Sequence, residues 1–295
     1  MAKITCFGEV LWDVFPTHKK IGGAPLNVAL RLHSFKNEVA IISSVGNDVN
    51  GAELKQYIKK KGVTDAYIQT NTTYETSKVA VVLDEKGAAS YTIKHPCAWD
   101  YILLEARLLS LVKSSDAFIF GSLVSRNKES EATLEALLNE AIFSVFDVNL
   151  RPPHYQIETL KIFMNRAHFI KFNEEELFEI NEKLGHTNKS LEENIKHISK
   201  LTNTQQICVT RGPNGALLFY DEKFYANSGY AVTVADTVGS GDSFLATLID
   251  CLLHKERPQK AIDTACAVGA LVAQNHGANP TITKAEIARL VAKSL

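Results

Sequence analysis

The chain carries no excess charge of either sign: Lys and Arg total 32, Asp and Glu total 33, and the formal net charge is −1. It has no basic block, which argues against nucleic acid or an anionic membrane surface as a partner. No apolar run is long enough to span a bilayer, and the opening Met1-Ala2-Lys3-Ile4-Thr5-Cys6 has no signal-peptide pattern. The five cysteines, Cys6, Cys97, Cys208, Cys251 and Cys266, are scattered, odd in number and without metal-ligand spacing. A disulfide framework is therefore not expected, and a reduced cytoplasmic protein is. Two nucleotide-binding signatures are also missing. There is no Gly-x-x-x-x-Gly-Lys-Ser/Thr loop, and the first strand-like segment runs into Gly8-Glu9-Val10 where a dinucleotide fold would place Gly-x-Gly-x-x-Gly. Internal repeats, low-complexity tracts and long linkers are absent too.

What is present is an ordinary globular composition, 45% hydrophobic and 22% charged over 295 residues, enough for one large core. Strand-like runs at Lys3–Val10, Val39–Val45, Ala117–Gly121, Ser144–Asn149, His168–Phe172 and Gln206–Thr210 alternate with helical patterns. Such alternation predicts an α/β fold, a mostly parallel twisted sheet with helices on both faces. The pattern breaks once. Tyr67–Thr73 is polar, and Ser77–Asp84 and Ala88–Lys94 alternate around Glu85-Lys86-Gly87, a hairpin signature. We expect a small projecting β-sheet there, a lid over a site in a single domain spanning 1–295, with lid segments at about 11–21 and 67–100. Val79, Val81 and Leu83 share one face of that lid strand; left exposed, they would favour a homodimer through the lid sheet.

The most informative stretch is Ala235-Asp236-Thr237-Val238-Gly239-Ser240-Gly241-Asp242-Ser243. A strand-like Tyr230–Val234 precedes it and an apolar-faced helix, expected over Ser243–Leu253, follows. It is a turn that opens a helix, and amides at a helix start lack intrahelical partners and sit at the positive end of the dipole. That arrangement binds anions, phosphate above all. Asp242 at its mouth is either a cap that favours the dipole or a base beside the anion site; an anion cradle with a base that activates a hydroxyl means phosphoryl transfer to an alcohol.

Polar residues also gather at the predicted carboxyl ends of strands, where open parallel sheets bind ligands: Asp13, Gly121-Ser122, Asp147 with Asn149 and Arg151, Lys171 with Asn173 and Glu176, and Thr210 with Arg211 and Gly212. Asn27, in the first turn of a helix opened by Gly22-Gly23-Ala24-Pro25, reads equally as a satisfied core amide and as a polyol ligand. Asp13 has the same two readings. Arg151 and Lys171 are candidates to neutralise phosphate charge, and Arg151 serves equally as a structural ion-pair partner. Arg126, near the site, contacts either substrate or solvent.

Asp236-Thr237-Val238-Gly239-Ser240-Gly241-Asp242 resembles the C-terminal signature of the ribokinase-like (PfkB) carbohydrate kinases, with Ser240 where alanine is common. Gly22-Gly23-Ala24-Pro25-Leu26-Asn27-Val28-Ala29 resembles the family's N-terminal signature. Gly8-Glu9-Val10-Leu11-Trp12-Asp13, Gly121-Ser122-Leu123, Asp147-Val148-Asn149-Leu150-Arg151 and Lys171-Phe172-Asn173-Glu174-Glu175-Glu176 resemble its fructokinase branch. The resemblance implies ATP-dependent phosphorylation of a sugar's primary hydroxyl, with fructose first and ribose, 2-keto-3-deoxygluconate or a nucleoside as alternatives; a sugar or nucleotide sensor without catalysis is the reading from another class. It implies Asp242 as catalytic base and the amides of Gly239, Ser240 and Gly241 as the anion hole. It further implies Asp13, Gly23 and Asn27 at the sugar; on their charge, Arg151 is placed with the substrate and Lys171 with the nucleotide phosphates. Asn173 and Glu176 belong to its Mg²⁺ and phosphate network, Thr210, Gly212 and Gly215 to the nucleotide site, and Asn275, Gly277 and Ala278 to the neighbourhood of the adenine. Asp236 and the Val238 carbonyl correspond to a monovalent-cation site for K⁺.

Overall fold

A computed structural model describes residues 1–83 and 89–292, and the side chains of residues 81–92 lie outside that description, as does the Glu85-Lys86-Gly87 turn. The chain opens with β1 (Lys3–Phe7), β2 (Leu11–Val14), β3 (Lys19–Gly22), α1 (Ala24–Ser34), β4 (Glu38–Gly46), α2 (Val49–Lys60) and β5 (Ile68–Asn71). It continues with β6 (Lys78–Leu83), β7 (Ala89–Ile93), α3 (Ala106–Lys113), β8 (Ala117–Gly121), α4 (Lys128–Leu138), β9 (Ser144–Asp147), α5 (Ile157–Arg166) and β10 (Phe169–Asn173). Then come α6 (Glu174–Lys183), α7 (Leu191–Thr202), β11 (Gln206–Thr210), β12 (Ala216–Tyr220), β13 (Lys223–Asn227), α8 (Ser240–Leu253), α9 (Pro258–Ala273) and α10 (Lys284–Ala292).

Nine of these strands form one sheet in the order β13-β12-β11-β10-β9-β8-β1-β4-β5. All pairs from β11 to β5 are parallel, and the β11–β12 and β12–β13 pairs are antiparallel. Side-chain alternation feeds two cores. Ile4, Cys6, Ala117 and Ile119 point to the face covered by α1, α8 and α9. Phe7, Phe118, Phe120 and Phe146 point to the other, where they meet Phe163 and Leu160 of α5 and Ile195 and Ile198 of α7. Phe120 stacks on Phe146 at 5.0 Å and meets Phe163 edge-on at 5.7 Å. Strand order reverses at β1, flanked by β8 on one side and β4 on the other, so the carboxyl ends of β1, β8, β9 and β10 surround one crevice.

A second sheet, β3-β2-β6-β7, projects from this body. It is smaller than the expected lid. Ile68–Asn71 joins the main sheet beside β4, because its residues pair in register with Ser43–Gly46. Residues Ala98–Tyr101 form a 3-10 turn whose Trp99 is fully buried in the second core. The apolar lid face is also partly covered by its own chain: Val79 is 4% exposed and Trp12 is buried. The expected strand at Tyr230–Val234 does not form, and the segment runs unpaired. Residues 102–105 are not helical; α3 starts at Ala106. The last motif's helix begins at Ser240, three residues before the expected start, because Gly239 takes the left-handed conformation (φ 76°) that ends the turn. No helix among the described residues is long and apolar enough to cross a membrane.

The Arg126 guanidinium does not reach into solvent, and its Nη1 is buried without a partner among the described residues. The guanidinium is buried against Asp100 at 2.6 and 2.8 Å, donates to the Lys94 carbonyl at 2.7 Å just past β7, and stacks 4.0 Å over Trp99. It therefore ties the second sheet's last strand to the main core. Asp100 has no exposed surface, and removing its partner leaves a buried carboxylate uncompensated. Arg126→Ala is expected to lower unfolding free energy by about 3–5 kcal/mol in urea titration. A loss below about 1 kcal/mol, the scale of a surface pair, would contradict this.

Candidate active site

The start of α8 is built by its turn. Gly239 packs so tightly on the segment after α9 that a Cβ there would lie 2.4 Å from the Ala278 Cβ. Asp236 closes the turn from both sides, accepting from the Val238 amide at 3.0 Å and from the Gly277 amide at 3.1 Å. The amides of Gly239, Gly241 and Asp242 have no partner among the described residues, and no side chain caps the helix. These are free donors at the positive end of α8. Ser240 departs from expectation: its amide donates to the Thr237 carbonyl at 3.2 Å, since the turn closes there, and its hydroxyl donates to Gly269 O at 2.9 Å, docking α8 on α9.

Asp242 sits in the first turn of α8, inside the helix rather than at its mouth. Its Oδ2 accepts from Asn27 Nδ2 of α1 at 2.8 Å, and Asn27 Oδ1 accepts from Asn279 Nδ2 at 3.0 Å. Burial and the nearby Asp147 push the Asp242 carboxyl up to about 6, while the Asn27 bond, Lys171 and Arg151 hold it down. At neutral pH it is an ionised carboxylate able to take a proton.

On one side of Asp242 lie the ends of β1 and β2. Gly23 caps α1 with φ 113°, and a Cβ there would lie 2.4 Å from the Glu9 carbonyl, so only glycine allows this approach. The Asp13 carboxylate lies against Gly22, and burial raises it to about 6 against the pull of Lys20. Glu9, unassigned from the sequence, is buried beneath this loop. Its Oε1 accepts from the Ala24 amide at 3.2 Å and its Oε2 has no partner. Arg151 is exposed, donates to its own neighbour's carbonyl (Leu150 O) at 2.9 Å, and belongs to no ion pair among the described residues. Its structural ion-pair reading is therefore not met.

On the other side lie β9 and β10. Their register sets Lys171 opposite Asp147, and Lys171 Nζ donates to Asp147 Oδ1 at 2.8 Å. The ammonium reaches the start of α8, since a Cβ on Gly241 would lie 3.8 Å from it. Burial alone would lower the Lys171 pKa, but Asp147, Glu176 and Asp242 outweigh it and hold the ammonium charged, above its ordinary value. Asn173 and Glu176 form a capping box at the start of α6: each side chain bonds the other's backbone amide at 2.8 Å. Glu176 Oε1 also accepts from the Leu150 amide at 2.9 Å, so both its oxygens are committed to backbone and it braces the loop that carries Arg151.

Beyond the α8 start lies a cavity of about 770 Å³. Asn173, Thr210, Gly212, Gly215, Ser240 and Gly241 line it together with Tyr230, Val232, Phe244 and Ala270. The unpaired 230–234 segment is thus a cavity wall, a role hidden in the sequence by its strand-like alternation. Asn275, Gly277 and Ala278 do not line it. Asn275 Nδ2 bonds back to Leu271 O at 2.8 Å, while Gly277 and Ala278 hold the α8 turn from behind.

Metal donors are sparse: among the described residues no group of three or more His, Cys, Asp or Glu side chains would hold an ion alone. Magnesium bound through donor phosphates needs only one or two carboxylates. Asp147 Oδ2, buried and without a partner, fits that requirement. Asp236 and the carbonyls around it are hard oxygen donors of the kind K⁺ takes.

The family model described as pfkB family carbohydrate kinase matches residues 2–285. The chain is 26% identical to a fructokinase of Salmonella typhimurium, covering 98% of this chain and 96% of that protein. It is 28% identical to a fructokinase of Vibrio alginolyticus, covering 99% of each. Its fold matches, with a TM-score of 0.85 and 26% identity, a double-mutant Vibrio cholerae fructokinase bound to fructose, ADP and potassium ion; the match covers 99% of this chain and 98% of that one.

Glu9 gives the site a measurable pH dependence. Burial raises its carboxyl from 4.5 to about 7 in the folded chain, with Arg151 and the Ala24 amide opposing and Asp242 adding to the rise. The folded state then holds this proton more tightly than the unfolded one. Its contribution to stability accordingly falls as pH rises between those two values and is constant outside them. Glu9→Gln, neutral throughout, is expected to be more stable than the parent at about pH 8 and to lose that advantage near pH 4.5 in urea titration. An equal difference at both pH values would contradict the assignment.

Proposed function

The chain belongs to the pfkB family of carbohydrate kinases, and on that premise we propose that it transfers the γ-phosphoryl group of ATP to the primary hydroxyl of fructose, giving fructose 6-phosphate and ADP. The observation that carries this reading is the juxtaposition of a half-buried, ionised Asp242 with free amides at the start of α8 and the Lys171 ammonium. In this reading the sugar lies over Gly23, between Asp13 and Asn27, with its primary hydroxyl at Asp242. The carboxylate takes the hydroxyl proton as the new O–P bond forms and the bond from the γ-phosphorus to the β–γ bridging oxygen breaks. The Gly239, Gly241 and Asp242 amides and Lys171 stabilise charge on the transferring oxygens as donors already fixed in place. The adenosine end occupies the 770 Å³ cavity, whose lining holds Thr210, Gly212 and Gly215 alongside the apolar Val232, Phe244 and Ala270. Bound Mg²⁺ would neutralise phosphate charge beside Asp147, and K⁺ would brace the Asp236–Val238 turn. Five unpaired cysteines suit a reduced compartment, the cytoplasm.

Fructose is supported by the names of the relatives and by the fructose-bound Vibrio cholerae structure. A second substrate, a sugar keto acid such as 2-keto-3-deoxygluconate, is favoured by one feature: the exposed Arg151 guanidinium is free of any ion pair among the described residues and is available to a carboxylate. ADP release with Mg-ATP over fructose, ribose, glucose, tagatose, 2-keto-3-deoxygluconate and adenosine separates these. The expected result is kcat/KM for fructose at least about tenfold above every other acceptor. Faster turnover of the keto acid would replace the substrate and keep the chemistry. Asp242→Asn is expected to lower kcat by about 10²–10⁴ while ATP binding persists; near-normal turnover would remove Asp242 from the role of base.

A further inference from the structure

Asn279 lies in the short segment between α9 and α10 and is 252 positions from Asn27, the residue it touches. We propose that Asn279 is a positioning residue for the base, holding the Asn27 amide in the one orientation that lets it donate to Asp242. This rests on the reading of Asp242 as base.

An ionised carboxylate only accepts hydrogen bonds. Asp242 therefore requires the NH₂ side of Asn27, found at 2.8 Å. The oxygen of Asn27 must then face away, and only a donor satisfies it there. Asn279 Nδ2 supplies that donor at 3.0 Å. Asn27 is 6% exposed, so water has little access to replace the bond. Only the donor half of Asn279 is used, for its Oδ1 is buried without a partner.

The segment that presents Asn279 is fastened on both sides. Gly277 N donates to Asp236, and Arg31 of α1 donates to the Pro280 carbonyl at 3.0 Å. Arg31 also donates to the hydroxyl of Ser243, the residue after Asp242, at 3.1 Å. Asn279 is thus held in a frame shared with the α8 turn and with α1. Nothing places Asn279 against the 770 Å³ cavity, whose lining does not include it.

Two substitutions separate this role from space filling. Asn279→Ala removes the donor and frees Asn27 to rotate; Asn279→Asp keeps the shape but draws the Asn27 NH₂ toward itself and turns the Asn27 oxygen to Asp242. The expected loss in kcat is about five- to tenfold for alanine and larger for aspartate, with the KM for ATP unchanged and each folded variant checked by near-UV circular dichroism. If alanine fails to fold, the shape-matched aspartate decides alone, by its kcat. Parent-like kcat in the variants, or aspartate milder than alanine, overturns the inference. With Asp242→Asn inactive, that outcome leaves the base assignment standing; an active Asp242→Asn overturns the base assignment itself.

Discussion

Everything near the crevice answers to one constraint, a carboxylate placed in the first turn of a helix among groups that bind anions. Asp242 would share its surroundings with transferring phosphate, and two negative charges in low dielectric repel strongly. Lys171, the free amides of α8 and the Asn27 bond offset that repulsion. Each is itself held in place. Lys171 is buried and charged because β9 places Asp147 directly opposite it. The amides are free because Gly239 ends the turn in a conformation that closes on Ala278. Burial and Asp147 raise the carboxylate's proton affinity and these contacts limit the rise, so it remains ionised at neutral pH.

Much of this was legible in the chain. The βα alternation predicted the parallel sheet, and glycine spacing before an apolar-faced helix marked the α8 turn. Asp147 and Lys171 sit side by side on adjacent parallel strands and reach the start of α8, as strand-end residues should, whereas Asp13 lies inside β2 of the second sheet and Thr210 and Gly212 line the neighbouring cavity. The errors have physical causes. Tyr230–Val234 alternates like a strand, yet no neighbouring strand pairs with it, so tertiary context overrode local pattern. Ile68–Asn71 is polar and reads as part of the lid, but it pairs in parallel with the edge strand β4. Arg126 and Asp100 lie 26 positions apart, and nothing local announces their buried pair. Asn279 was silent for the same reason, since its partner is near the other end of the chain.

The second sheet and the base are joined through the same elements. β2 carries Asp13, β3 runs into the Gly22-Gly23 turn, and α1 carries Asn27 and Arg31 immediately after. Short connections along one stretch thus bring the small sheet, Asp13, Asn27 and, through the Asn27 bond, Asp242 together. Arg126 anchors the opposite corner of the sheet to the core through Lys94. The fold holds the small sheet at both margins, and this arrangement suits a cover that excludes water from a site where water would compete with a sugar hydroxyl.

The central claim is that Asp242 acts as an ionised base whose proton affinity is set by its surroundings. The direct measurement is the pH dependence of kcat/KM for the best acceptor. The expected profile is flat at neutral pH and falls about tenfold per unit below about 6, because protonated Asp242 cannot take the hydroxyl proton. The acid limb should persist in Asp13→Asn and Glu9→Gln, the neighbouring carboxyls with raised values. A profile with no acid limb, or one whose limb vanishes with either of those substitutions, would contradict the account.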